Sequence, residues 1–170
     1  CERWRQAGRI LIAGGSFAPD AALHTALRTL AAGPSVAVVG DISSNLLGTV
    51  STLHHWEAIL STRRPELQRE LAPELVVVFG GQITSKPLKL LLRAHPPREL
   101  WFVRPSGAAP DTYQALTDVI PLRPADFFRE LARRATPAAG DYAARWASLQ
   151  QQAAALIPPL LASQPFGEFA

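Results

Sequence analysis

Short apolar segments alternate with helical segments along this chain, and this alternation limits the folds open to it more than any other feature. The clearest apolar segment is 75–79, Leu-Val-Val-Val-Phe, which two glycines follow directly. The other strand-like segments are residues 9–13, 36–39, 100–103 and 118–122. Most of these runs are apolar without interruption, which is typical of strands buried on both faces of a parallel sheet. Pro121 predicts that the fifth segment is an edge strand.

Helical patterns fill the intervals between these strands. Asp20 is predicted to cap the first helix, and Pro65 and Pro124 stand where a helix tolerates proline in its first turn. The predicted helices are residues 20–31, 54–60, 65–71, 85–94, 124–131 and 141–161. Residues 2–5 are expected to lead almost at once into the first strand. The order predicts an α/β fold, with an open parallel sheet of five to six strands and helices on both faces.

Composition indicates a part of a larger assembly. The 170 residues include no methionine and begin with Cys1. We therefore expect either a segment cut from a longer protein, which we favour, or a processed protein. Only 18% of the residues are charged, against about 25% in ordinary soluble domains, which suggests apolar surface that something else covers. We expect one α/β domain over 1–162 and the start of a linker to a C-terminal domain over 163–170.

The distribution of charge and apolar residues excludes two classes of partner. The 17 basic residues are spread along the chain without a concentrated run, so nucleic-acid binding is not expected. No apolar run approaches the roughly 20 residues that span a bilayer, so no membrane contact is expected. The expected location is the cytoplasm.

No residue pattern points to catalysis or to a metal site. His54 and His55 are adjacent, so on a helix they would point about 100° apart and could not readily share a metal ion. His24 and His95 stand alone, and neither a G-x-S-x-G nor an H-E-x-x-H motif occurs. We therefore expect no catalytic residue and no metal ligand within these residues.

Glycines and polar residues at the ends of the first two strands raise the question of a nucleotide site. Gly14-Gly15 follows the first strand but lacks the G-x-G-x-x-G spacing of dinucleotide-binding turns, so a simple tight turn is the preferred interpretation. Asp41 stands where a ribose-binding acid would lie, yet it can equally cap its own loop, which we favour. Ser44, Asn45 and Arg104 are further candidate loop contacts. A free-standing nucleotide- or dinucleotide-binding module stays open as an alternative.

The segment Gly80-Gly-Gln-Ile-Thr-Ser-Lys-Pro87 is the most informative for binding. It is predicted to connect the clearest strand to a helix that begins near Ser85. Lys86 in the first turn of that helix is locally unfavourable, because the helix dipole is positive there. Together with free backbone N–H groups, however, it would suit a carboxylate or phosphate. Gln82, Thr84, Ser85 and Lys86 are the candidate substrate-binding residues, and a plain solvated lysine is the other interpretation of Lys86.

Several stretches resemble one family of enzymes over nearly the whole chain. They are Gly8-Arg-Ile-Leu-Ile-Ala-Gly-Gly15, Gly40-Asp-Ile-Ser-Ser-Asn45, Glu74-Leu-Val-Val-Val-Phe-Gly-Gly81, Thr84-Ser-Lys-Pro-Leu88, Trp101-Phe-Val103 and Phe166-Gly-Glu168. The chain resembles the central domain of 2-succinyl-5-enolpyruvyl-6-hydroxy-3-cyclohexene-1-carboxylate synthases, thiamine-diphosphate-dependent enzymes of menaquinone biosynthesis. The stretch from 74 to 88 is the most specific of these. It departs from many members of the family at Pro87, where they carry an arginine.

The resemblance implies a Rossmann-like central domain between two domains that bind thiamine diphosphate and Mg²⁺. It implies that the parent enzyme, a homodimer or homotetramer, adds the succinyl semialdehyde carbanion from 2-oxoglutarate to isochorismate. The central domain would then have no activity and no cofactor of its own, and Lys86 would face the anionic substrate. A further hypothesis is that Lys86 and Arg104, with nearby arginines, hold an anionic product that regulates the enzyme.

Overall fold

The fold is built on a sheet of five parallel strands, in the order β2-β1-β3-β4-β5. The computed structural model describes residues 2–48, 50, 52–136 and 138–163. The strands are β1 Ile10–Gly14, β2 Val36–Gly40, β3 Leu75–Phe79, β4 Glu99–Val103 and β5 Asp118–Ile120. Every residue of the first three strands is buried, because helices cover both faces of the sheet. The predicted fold class, the strand positions and the edge position of β5 are confirmed.

Helices connect the strands and complete the two outer layers. They are α1 Glu2–Gln6, α2 Ala21–Ala31, α3 Trp56–Leu60, α4 Pro65–Leu71, α5 Lys86–Ala94, α6 Pro124–Arg134 and α7 Tyr142–Ala162, and a 3₁₀ turn covers Ile42–Ser44. Asp20 caps α2 as predicted, since its carboxylate accepts hydrogen bonds from the N–H groups of Ala22 and Leu23. The helix predicted from residue 54 begins at Trp56 instead, where the chain leaves a bend at His54 and His55.

Two separate hydrophobic cores lie on the two faces of the sheet. On one face α2 and α6 pack side by side over alternate strand residues, with Phe79 and Phe128 in edge-to-face contact. On the other face α3, α4, α5 and α7 cover the remaining strand residues, and Tyr142 and Trp146 anchor α7 there. Because successive strand residues point to opposite faces, each strand contributes to both cores.

Residues 2–6 form helix α1, an element that is not predicted from the sequence, and β1 follows shortly after it. Trp4 is fully buried in the core, while Arg3 forms ion pairs with Glu99 and Asp118 at 2.7 Å each. Arg3 also lies over the ring of Trp101. These contacts tie the helix to β4 and β5, and none of them is visible in a local sequence pattern.

Helix α7 is the longest, and its first half carries most of its packing. Its later turns expose Leu156 and Leu160. None of the described helices is both long and apolar enough to cross a membrane. Residues 164–170, on which the linker prediction and the Phe-Gly-Glu similarity fall, lie outside the described residues, as does Cys1.

Candidate functional site

The carboxyl ends of the strands are where ligands bind in open parallel sheets, at the point where the strand order reverses. In the order β2-β1-β3-β4-β5 that point lies between β1 and β3. We call the space above these two strand ends the switch-point crevice. In this chain the segments that follow Gly14, Gly40 and Phe79 all run into it.

The switch-point crevice is closed by the chain's own backbone. The N–H of Gly15 donates to the carbonyl of Phe79 at 2.9 Å, and the N–H of Gly81 donates to the carbonyl of Ser16 at 2.8 Å. A Cβ atom on Gly15 would lie 2.8 Å from the carbonyl carbon of Gly81 and closer still to its oxygen. Gly80 has φ +80°, a left-handed conformation that glycine adopts without strain. Gly15 and Gly80 are thus needed because two backbones meet here.

Asp41 closes the crevice from the side of β2. Its carboxylate accepts hydrogen bonds from the N–H of Ser43 at 3.2 Å, and from the N–H and hydroxyl of Thr84 at 3.1 and 2.9 Å. These bonds, the one from the Thr84 N–H above all, lower the pKa of Asp41 below its ordinary value. The predicted cap is confirmed, and the structure adds the link to Thr84 that joins the loop after β2 to the loop after β3.

The other candidate residues of the β2 loop also serve this closure. The side-chain amide of Asn45 donates to the carbonyl of Phe17 at 2.7 Å. Ser44 is buried against Gly40, whose missing side chain leaves the space for its hydroxyl. Both side chains therefore hold the loops that fill the crevice.

The segment after β3 has the local structure that the sequence predicts. Ser85 caps α5 by accepting a hydrogen bond from the N–H of Leu88 at 3.3 Å, and Lys86 and Pro87 are the first two residues of the helix. Thr84 and Ser85 are thus occupied with loop structure. The side chains of Gln82 and Lys86 are exposed and make no hydrogen bond within the described part of the chain.

A cavity of about 340 Å³ opens beside the switch-point crevice, between the ends of β3 and β4, and we call it the β3/β4 cavity. Gln82 lies on one wall and Arg104 on the other. The guanidinium of Arg104 lies over the ring of Phe102 and donates to the carbonyl of Ser106 at 2.7 Å. Tyr113 forms part of the wall, and its burial raises the pKa of the phenol to about 12.

Lys86 faces a different space. It lines a groove of about 480 Å³ between α5 and the segment that joins α3 to α4, and we call this the Lys86 groove. Its lining residues are Leu60, Ser61, Thr62, Arg63, Gln68, Lys86, Pro87, Leu90, Leu91 and Ala94. The structure therefore groups Gln82 with Arg104 and separates both from Lys86. A single anion site that uses Lys86 and Arg104 together does not match this arrangement.

Tyr113 and Arg63 are among the lining residues that the sequence does not single out. Tyr113 lies in the irregular segment between β4 and β5, and Arg63 lies in the short connection between α3 and α4. Neither belongs to a motif, so only the folded chain brings them to Gln82 and Lys86. Among the residues that the structure describes, no group of three or more His, Cys, Asp or Glu side chains is placed to hold a metal ion.

The fold and the closed crevice together define a class. The chain is a Rossmann-like α/β domain in which the chain's own glycine turns and the Asp41 loop fill the usual ligand position.

A family model described as the middle domain of thiamine pyrophosphate enzymes matches residues 1–170. The chain belongs to this family of middle domains.

Curated relatives carry one shared name, 2-succinyl-5-enolpyruvyl-6-hydroxy-3-cyclohexene-1-carboxylate synthase. The chain is 34% identical over 137 residues to the protein of Desulfotalea psychrophila, covering 81% of the chain and 25% of that relative. It is 30% identical over 144 residues to that of Cytophaga hutchinsonii, covering 85% and 24%. With the Bacteroides fragilis protein it shares 38% identity over 95 residues, or 55% and 17%. The chain thus spans about a quarter or less of these relatives.

Proposed function

We propose that this chain is the middle domain of a longer thiamine-diphosphate-dependent synthase of menaquinone biosynthesis. The observation that carries the proposal is the similarity to synthases of that name over 137 and 144 residues. The complete enzyme would decarboxylate 2-oxoglutarate and add the succinyl semialdehyde carbanion to isochorismate. Within it, this domain would brace the flanking N- and C-terminal domains and line part of the substrate entrance.

We further propose that thiamine diphosphate and Mg²⁺ bind outside this chain. Thiamine diphosphate needs a place for its diphosphate and a divalent metal to bind it, and the switch-point crevice is filled by backbone. The described residues also hold no cluster of three metal-ligating side chains. We therefore assign thiamine diphosphate and Mg²⁺ to the flanking domains, and we assign no catalytic residue to this one.

The proposed contribution to substrate binding comes from the segment 82–86. Thr84 and Ser85 hold the backbone of this segment through Asp41 and the cap of α5. The side chains of Gln82 and Lys86 therefore stay available to a ligand. As a cation, Lys86 would bind a carboxylate of the substrate. Pro87 cannot add a second charge beside Lys86. Gln82 and Arg104 would contact a ligand only in the β3/β4 cavity, which is separate from the Lys86 groove.

The remaining assignments follow from the same proposal. The parent would be a cytoplasmic homodimer or homotetramer, because neighbouring subunits are expected to complete its cofactor sites. Its ligands are small polyanions. The spread of the 17 basic residues along the chain gives no support to nucleic acid as a partner.

Two measurements test the proposal. Thiamine diphosphate titrated into the chain alone should produce no calorimetric binding signal, and tight binding would contradict the division of roles. In the complete enzyme, Lys86→Ala should raise the KM for isochorismate about tenfold with a smaller effect on kcat, since one charge-assisted contact is lost. An unchanged KM would remove Lys86 from the substrate site.

The nucleotide-binding alternative makes a separate prediction. It requires NAD, FAD or a nucleotide to copurify, which an ultraviolet spectrum of the denatured supernatant would reveal. The backbone contact between Gly15 and Gly81 weighs against it, because it occupies the position of the pyrophosphate in such folds.

A further inference from the structure

The last turns of helix α7 carry apolar side chains that the domain leaves uncovered. Leu156 is 68% exposed, Leu160 60% and Leu161 43%, and we call residues 154–162 the α7 end. Ala153 is the last α7 residue that packs against a hydrophobic core. At a rise of about 1.5 Å per residue, the α7 end therefore extends about 14 Å past that contact.

The composition of the α7 end is that of a buried helix. Residues 154–162 are Ala-Ala-Leu-Ile-Pro-Pro-Leu-Leu-Ala, and no charged residue occurs from Trp146 to Gly167. A surface helix has polar or charged side chains on its outer face, whereas a helix that is apolar all round is normally covered. Single exposed apolar residues are ordinary, but several leucines together on one helix end mark an interaction site.

The backbone of the α7 end lacks two helical hydrogen bonds. Pro158 and Pro159 lie inside the helix and have no N–H group. The carbonyls of Ala154 and Ala155 therefore have no donor four residues further along the helix. Water can satisfy them while the surface is open, but a partner that covers the leucines must supply N–H or O–H donors beside them. The surface thus fits a folded protein partner with donor groups at the edge of an apolar patch.

We propose that the α7 end is the docking surface for the C-terminal domain of the complete enzyme. The inference rests on the proposed function, in which this chain is a middle domain, and it assigns the surface by which the domain would brace one of its neighbours. This chain spans only about a quarter of the curated relatives. Because α7 is the last described helix, a domain that follows in the same chain begins close to Ala162 and reaches the leucines at an effective concentration of about millimolar.

Two other occupants match the α7 end less well. A lipid surface binds helices that carry Lys or Arg on the polar face, and α7 has neither after Arg145. A second copy of the chain would dock without the advantage of a covalent connection. Sedimentation of the complete enzyme with phosphatidylglycerol vesicles that Leu156→Gln abolishes would overturn the proposed occupant in favour of lipid.

Hydrogen exchange of the chain alone and of the complete enzyme tests the docking directly. The amides of Leu160, Leu161 and Ala162 should exchange at least about tenfold more slowly in the complete enzyme, because docking buries them. The amides of residues 142–150, which Tyr142 anchors in the core, should exchange alike in both and verify that the chain alone is folded. Equal rates at the α7 end would overturn the inference.

Photo-crosslinking identifies the occupant. p-Benzoylphenylalanine introduced at Ala162, at the rim of the leucine patch, should form cross-links to the C-terminal domain of the same chain. Cross-links to the N-terminal domain, or between two subunits, would assign the surface to another occupant and overturn the inference.

Leu156→Gln combined with Leu160→Gln tests the side chains. The pair should lower the thermal midpoint of the complete enzyme by about 5 °C and change that of the chain alone by less than about 2 °C, because both leucines are exposed in the chain alone. Gln151→Ala is the matched control, since Gln151 is exposed on the same helix before the α7 end, and it should change neither midpoint. Equal shifts in the two proteins would contradict the docking.

Activity of the complete enzyme separates this inference from the proposed function. If the enzyme converts 2-oxoglutarate and isochorismate but the α7 end exchanges equally in both proteins, the docking fails while the proposed function stands. If the complete protein lacks that activity but the α7 end is protected and cross-links to the following domain, the proposed function fails and the docking surface stands.

Discussion

The switch-point crevice and the Lys86 groove lie on the same domain, but they differ in whether their polar groups are bonded within the chain. In the crevice, the backbones of Gly15 and Gly81 touch, and Asp41 accepts four hydrogen bonds from Ser43 and Thr84. In the groove, Arg63 and Lys86 extend over exposed leucine surface with no acidic partner among the described residues. The usual ligand position of the fold is thus filled by the chain itself, whereas the groove is not.

The β3/β4 cavity lies between these two extremes. Arg104 is oriented by Ser106 and Phe102, whereas Gln82 makes no hydrogen bond within the described residues. A region that is completed by its own contacts should respond strongly to mutation, and a region that is open should respond weakly in stability but strongly in binding. Mutations in the three regions test this contrast, from the largest expected effect on stability to the smallest.

Gly15→Ala should be the most damaging change, because its Cβ would collide with the backbone carbonyl of Gly81, which no side-chain movement can relieve. We expect a loss of about 3 kcal/mol in the free energy of unfolding, measured by urea denaturation. Gly8→Ala is the control, since its Cβ would meet only Glu74 Oε2, at an ordinary 3.8 Å, and should change stability by less than about 1 kcal/mol. Equal effects would show that the crevice is not closed in solution.

Asp41→Ala should cost about 2 kcal/mol, because it removes the acceptor that joins the loops after β2 and β3. Asp20→Ala removes a cap that serves a single helix and should cost about 1 kcal/mol. Chemical denaturation of both variants provides the comparison. A smaller loss for Asp41 than for Asp20 would mean that the link to Thr84 contributes nothing.

The effect of Asp41 should also depend on pH. Its pKa is lower in the folded chain than the value of about 3.9 for a free aspartate, so its contribution is complete above that value and is lost as pH falls through the folded pKa. The stability difference between the wild-type chain and Asp41→Ala should therefore narrow between pH 5 and pH 2, as followed by urea denaturation. A constant difference across this range would show that the charge of Asp41 is not involved.

Gln82→Ala and Arg104→Ala should have the smallest effect, within about 0.5 kcal/mol, because Gln82 is exposed and Arg104 donates one exposed hydrogen bond, to the carbonyl of Ser106. Thermal unfolding curves of the two variants would show this. A loss above about 1.5 kcal/mol would mean that Arg104 holds the segment after β4 through Ser106, and that the cavity is a structural region like the crevice.

The parts of the fold that sequence predicts best are those with a strong local signal. Strand β3, the Ser85 cap and the proline in the first turn of α4 each depend on residues close together in the chain. Helix α1 was missed because its packing comes from Trp4 in a distant core and from Arg3 bridging to Glu99 and Asp118. The candidate residues of the 82–86 segment are a prediction from sequence, and their division between two cavities follows only from the fold.

The sequence by itself determined the α/β class, the parallel sheet and the family resemblance, because apolar periodicity, glycine turns and helix caps act over a few residues. Tertiary structure decided that Asp41 binds Thr84, that Gly15 meets Gly81, and that Arg63 shares a groove with Lys86. These contacts join residues at least 20 positions apart. They depend on the order of strands in the sheet, which local patterns do not specify.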